Sequence, residues 1–146
     1  MRSKLPFYKQ EKPYSCVPAC LRMVLAAQGQ IVSESDLRER CDCTFLGTEA
    51  LNAVDALRAI GFSNSSKCTL KIAELIVKLN HGLYPIVFVN LLPIDGINDP
   101  HAIVVTAIDE DEVQVSDPLQ GERLLPRPTF DTAWAMMRNL TILVQD

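Results

Sequence analysis

Nowhere in its 146 residues does this chain carry an apolar run long enough to cross a bilayer. The longest, Val17–Ala27 and Tyr84–Leu92, fall well short of the roughly 20 residues a spanning helix needs. Membrane insertion is therefore excluded as an expectation. Clustered positive charge is equally scarce: Lys and Arg total 14 against 18 Asp and Glu, the net charge is −4, and no basic run occurs. That balance gives no electrostatic footprint for a nucleic acid. The amino terminus lacks the apolar core of a signal peptide, because Lys4, Lys9, Gln10 and Glu11 break it up, and a cytoplasmic location is expected. Histidine is rare, with two in the chain. Neither Cys16-x3-Cys20 nor Cys41-x-Cys43 has the spacing of a zinc pair, and no His pair completes a tetrad, so no metal and no cofactor are expected. The five cysteines are an odd count without a secretion signal, which argues against a disulfide scaffold. Internal repeats and low-complexity tracts are absent.

What is present suits one globular unit. Some 48% of the residues are hydrophobic and 22% charged, and the length leaves little room beyond a single domain over residues 1–146. Its character changes near Gly82. The first part, about 1–82, reads as helices. Val17, Cys20, Leu21, Val24 and Leu25 recur at helical spacing while Ala19, Met23 and Ala26 fill the other faces, so this helix should be central, with Gly29 at its end. Ser33 and Asp36 form a capping pair for a second helix, and Thr48 is placed to cap a third that Gly61 closes. A fourth runs through Ile72, Leu75, Ile76 and Leu79 toward Gly82. The second part, about 83–146, reads as strands rich in Val and Ile: Tyr84–Asn90, Ala102–Ile108, Glu112–Ser116 and Leu140–Gln145, with a short helix at Phe130–Met137. Asp109-Glu110-Asp111 makes a polar hairpin turn, and Pro93 to Pro100 a loop with Gly96. Helices first and an antiparallel sheet afterwards make an α+β fold.

Three residues stand out chemically. Cys16 falls at the start of the first helix, where unpaired backbone N–H groups favour the thiolate. His101 opens a strand, and Asp117 follows the hairpin, which returns it to the neighbourhood of His101 on the adjacent strand. A thiol, a base and an orienting carboxylate are the parts of a cysteine hydrolase. Gln10, six residues before Cys16, can offer its amide to an oxyanion beside the Cys16 N–H. Other marked residues read as structural: His81 at a helix end, Cys20 in the core, Cys41 and Cys43 at a helix end or loop, and Phe130, Trp134 and Met137 as one core cluster. Glu34, Asp36, Arg38, Glu39 and Arg40 read as a solvated helix face.

Gln10 through Cys16 into Val17-Pro18-Ala19-Cys20-Leu21-Arg22-Met23-Val24-Leu25 resembles the nucleophile segment of the bacteriocin-processing cysteine peptidases, papain-like domains that remove double-glycine leaders. Asp99-Pro100-His101-Ala102-Ile103-Val104-Val105 is similar to that family's His strand, and Val115-Ser116-Asp117-Pro118-Leu119-Gln120-Gly121 to its Asp-Pro turn. Gly47-Thr48, Gly61-Phe62, Phe130 and Trp134 extend the likeness over nearly the whole chain. The resemblance implies a papain-like fold with the site between a helical and a sheet half. It also implies Cys16 as nucleophile, His101 as base and acid, Asp117 as orienting carboxylate and Gln10 as oxyanion donor, with no metal. A peptide or protein is the implied substrate and an exporter the implied partner. No exporter segments are present, so the chain reads as a free-standing relative or an excised domain. Val17 stands where the family has Gly, and the expectation is a narrower cleft or an altered fit beside the scissile bond.

The favoured function is a cysteine endopeptidase cutting after small residues such as Gly-Gly. The same triad would serve a transferase, a deamidase or an effector toxin, depending on whether water or another acceptor enters at deacylation. A non-catalytic peptide-binding module is the third reading.

Overall fold

The computed structural model describes residues 4–146. Six helices and six strands follow in the order α1 (Cys16–Ala27), α2 (Glu34–Arg40), α3 (Ala50–Ala59), β1 (Ser66–Thr69), α4 (Ile72–Asn80), β2 (Ile86–Asn90), α5 (Leu92–Asp95), β3 (Pro100–Ile108), β4 (Glu112–Asp117), β5 (Gly121–Pro126), α6 (Arg127–Ala135) and β6 (Leu140–Leu143). The strands form one antiparallel sheet in the order β1-β6-β2-β3-β4-β5.

Strand alternation sorts the core into two layers. Ile86, Phe88, Ala102, Val104 and Ile142 pack with α1, α2 and α3. Their odd-numbered neighbours Val87, Val89, Ile103 and Val105, with Val113 and Val115, pack with Leu75 of α4 and with Phe130 and Trp134 of α6. Both faces of β2 are thus covered, and all five of its residues are buried. α1 is central as expected: Leu21, Met23 and Leu25 are fully buried. Cys20 is too, with its thiol 3.5 Å from the Ala102 carbonyl, and burial pushes that thiol's pKa well up.

Local signals act where they were expected. The Ser33 hydroxyl accepts the Asp36 N–H and caps α2, and His81 is the exposed C-cap of α4. The departures are of several kinds. Two strands were not foreseen: β1, which joins the sheet from within the largely helical part by pairing with β6, and β5, which pairs along β4. Thr48 does not cap α3; Glu49 occupies that position without a side-chain bond. The loop after β2 begins with the short α5, which Gly96 ends in a left-handed conformation (φ 76°). Phe130 and Trp134 stack with ring centroids 5.5 Å apart, but Met137 packs against the other core layer.

The solvated-face reading of α2 fails at Glu34, which is 1% exposed and takes hydrogen bonds from Glu11 and Ser15 in the segment before α1. Val17 is 2% exposed in the core, so it presents almost no surface with which to narrow a cleft.

Candidate active site

The site forms where the start of α1 meets the sheet. Cys16 is the first residue of α1 and stays partly accessible. Ser15 occupies the N-cap, yet no side chain caps the helix and no acidic residue lies in its first turn. The first-turn N–H groups beside the thiol therefore carry no side-chain cap.

His101 lies near the start of β3 and is 5% exposed. Its Nε2 is 2.7 Å from Asp117 Oδ1. The strand register explains the meeting. Val104 faces Ser116, so Asp117, one residue further along β4, comes diagonal to His101 on the same face. With Nε2 engaged, Nδ1 is the nitrogen left for Cys16, and the thiol side chain does interact with the ring. Burial works against the imidazolium, but the Asp117 hydrogen bond and the Cys16 side chain outweigh it and raise the His101 pKa to about 9. Asp117 moves the other way. Burial again opposes its charge, and the bond to His101, the Leu119 N–H and Arg123 together hold its pKa below the ordinary carboxylate value.

Gln10 comes from the segment before α1. Its backbone N–H donates to the Pro118 carbonyl at 2.9 Å, tying it to the residue after Asp117. Its side-chain amide is buried, and Nε2 donates to the Lys12 carbonyl at 2.8 Å. That bond uses one of two amide hydrogens and fixes the orientation of the group, leaving the second available. The structure thus brings Cys16, His101 and Asp117 together and anchors Gln10 beside Asp117 through the chain.

Two charged residues of the site were not foreseen. Arg123, on β5, bonds Asp117 Oδ2 at 3.3 Å and both oxygens of Asp95 at 2.7 and 3.1 Å. Gly121 pairs opposite Asp117, and Arg123, two residues on and opposite Val115, reaches Asp117 diagonally across the two strands. The turn signal Asp117-Pro118 with Gly121 was the available clue to that hairpin. Asp95 lies in the loop that leads to His101, and the Asn90 amide bonds Asn98 Oδ1 at 2.9 Å to close that loop. The second is Glu34, whose carboxylate contacts the segment between Gln10 and Cys16.

A thiol, an imidazole and a carboxylate in this arrangement are the parts a thiol-dependent hydrolase uses. The model of the Peptidase C39 family matches residues 4–145, and the chain belongs to that family. It is a cysteine peptidase. It is 31% identical over 133 residues to the transport/processing ATP-binding protein ComA of Streptococcus pneumoniae; the match covers 90% of this chain and 18% of that relative. Among solved structures, it is similar to the peptidase domain of Streptococcus ComA, a bifunctional ABC transporter involved in quorum sensing. That likeness has a TM-score of 0.81 and 24% identity, and covers 98% of this chain and all (100%) of that one. A double glycine motif protease from an AMS/PCAT transporter, solved with its leader peptide, is also similar, at TM-score 0.79 and 22% identity over 99% of this chain and 94% of that one. These likenesses place the fold among papain-like C39 peptidase domains. Among the described residues, no helix is long and apolar enough to cross a membrane.

Proposed function

We propose that this peptidase cuts a leader-type peptide after small residues such as a Gly-Gly pair, using Cys16, His101, Asp117 and Gln10. The observation that carries the reading is His101, held by Asp117 at 2.7 Å through one nitrogen and facing Cys16 with the other. Protonated at neutral pH, it supplies a counter-ion to the Cys16 thiolate. The thiolate attacks the scissile carbonyl, and the carbonyl electron pair moves onto oxygen. The free Gln10 amide hydrogen and the start of α1 stabilise that oxyanion. His101 then gives its proton to the departing amine, leaving an acyl-enzyme. Water, deprotonated by His101, releases the acid and restores the thiolate.

In this reading residues 1–146 act as one catalytic unit, with the cleft between a helical half (about 1–82) and a sheet half (83–146). The leader-bound and transporter-derived neighbours support a peptide substrate, partnership with an exporter and a cytoplasmic setting. The test is a peptide library containing Gly-Gly sites, analysed by mass spectrometry with the native chain, Cys16→Ala and His101→Ala. Cleavage after small residues, lost in both variants, is the expected result. Cleavage that survives Cys16→Ala would overturn the reading, and an uncut product of altered mass would point to acyl transfer.

A further inference from the structure

A carboxylate is buried beside the nucleophile segment, and the steps above make no use of it. Glu34 opens α2 and is 1% exposed. A carboxylate at that depth persists only where partners replace its water. Oε1 accepts the Glu11 backbone N–H at 2.9 Å and the Ser15 hydroxyl at 3.0 Å. Oε2 lies 3.0 Å from Arg38 Nε, an ion pair close in distance but off the hydrogen-bond direction. Both donors to Oε1 belong to the short segment between Gln10 and Cys16. The same segment is gripped from outside: Glu11 pairs with Arg38 at 3.2 Å and Arg22 at 3.5 Å, and the Arg22 guanidinium stands 3.9 Å over the Tyr8 ring. Helices α1 and α2 thus clamp it together.

The consequence falls on Ser15. A serine at an N-cap ordinarily turns its oxygen onto the first-turn N–H groups of its helix. Here that oxygen accepts the Lys12 N–H at 3.0 Å, and its proton faces Glu34 Oε1 and the Lys12 carbonyl, the latter at 3.1 Å. No side chain caps α1. Its first turn therefore keeps its capacity for an anion. The Lys12 carbonyl is also the acceptor that orients the Gln10 amide.

We propose that Glu34 is a positioning residue for the oxyanion side of the cleft. By holding Glu11 and Ser15 it keeps the start of α1 uncapped and the Gln10 amide aimed at the same point. The inference rests on the peptidase reading above, and Glu34 itself touches no reacting atom.

The test separates thiol reactivity from oxyanion binding. Iodoacetamide alkylation of Cys16 needs the thiolate but no oxyanion donor. A peptide aldehyde ending in Gly-glycinal adds reversibly: a sulfur–carbon bond forms, the carbonyl pair moves to oxygen, and that oxygen occupies the donor site before taking a proton from His101. Amide hydrogen exchange at Glu11 and Ser15 reports the segment without chemistry. Glu34→Ala is expected to weaken aldehyde binding about tenfold to a hundredfold, while alkylation at pH 7 stays within about threefold. Exchange at Glu11 should accelerate. Glu34→Gln, which retains an acceptor oxygen, should restore most of the affinity. If Glu34→Ala does not fold, Ser15→Ala, which removes the hydroxyl and its contacts to Glu34 and Lys12 but leaves the bond from the Glu11 N–H to Glu34, should show the same split at smaller size.

Equal loss of alkylation and aldehyde binding, or loss of neither, would overturn the inference while the native chain remains reactive. A native chain inert to both reagents would instead overturn the peptidase reading, and this inference with it.

Discussion

The Arg123 guanidinium stands 3.3 Å from Asp117 Oδ2, the oxygen that His101 leaves free. Asp117 therefore answers to two cations, and Arg123 links it to Asp95 in the loop that delivers His101. Both carboxylates have pKa values lowered in part by this contact. Arg123→Ala is expected to raise both. For Asp117, whose value rises, protonation then begins at higher pH on acidification, and the imidazolium loses its partner sooner. The low-pH limb of Cys16 alkylation should move upward in pH; an unmoved limb would show that His101 alone sets the state of Asp117.

His101 should titrate near pH 9, readable from its ring protons by NMR. Cys16→Ala and Asp117→Asn each remove a group that raises this value, so both should lower it. The folded value exceeds the ordinary 6.5, so the charged ring stabilises the fold fully below about pH 6.5, and that contribution is lost as pH rises through about 9. Denaturation midpoints of the native chain and Asp117→Asn should therefore differ most just below pH 6.5 and converge as pH rises past about 9. A midpoint difference that is flat across this range would contradict the assignment.

Gln10→Ala should separate binding from catalysis. The tie to Pro118 is made by the backbone and survives the substitution. Turnover of a fluorogenic Gly-Gly peptide is expected to fall about a hundredfold to a thousandfold, as when one oxyanion donor is removed. Alkylation of Cys16 should hold its native rate, and a parallel fall in alkylation would instead mean that Gln10 supports the thiol.

Leu21→Ala probes the central helix. Leu21 is 0% exposed in the layer between α1 and the sheet. Its truncation should cost about 2–5 kcal/mol, through lost burial and the cavity left behind. Urea denaturation followed by fluorescence measures it, and a cost below about 1 kcal/mol would show that the layer can collapse around the gap.

Much of this architecture could be read from local pattern. The three-and-four spacing of Val17, Cys20, Leu21, Val24 and Leu25 specified a helix buried all round, and Ser33 with Asp36 specified a cap; both are seen. The polar turn at Asp109–Asp111 between two Val- and Ile-rich runs specified the hairpin that brings Asp117 back to His101. By contrast, β1 (Ser-Lys-Cys-Thr) and β5 (Gly-Glu-Arg-Leu-Leu-Pro) are edge strands with exposed positions and no strong apolar alternation. Their pairing with β6 and β4 makes them strands: β1 meets its partner only across most of the chain, and β5 is a hairpin return whose own residues carry little apolar signal.

The sequence by itself determined most of the helical and extended segments, the apolar faces they carry, and that a cysteine, a histidine and an aspartate fall at the ends of those segments. Periodicity and turn chemistry act over a few residues, and those properties need nothing more. Only the tertiary structure decided the fate of the charges. Glu34 sits in a run of acidic and basic residues that any local reading places in water, yet it is buried because Glu11 and Ser15 supply its hydrogen bonds from a segment some twenty residues earlier. Arg123 reaches Asp117 because the pairing of β4 with β5 sets the two residues diagonally across neighbouring strands. A buried charge is tolerated only where its partners are, and in a folded chain those partners come from distant positions in the sequence.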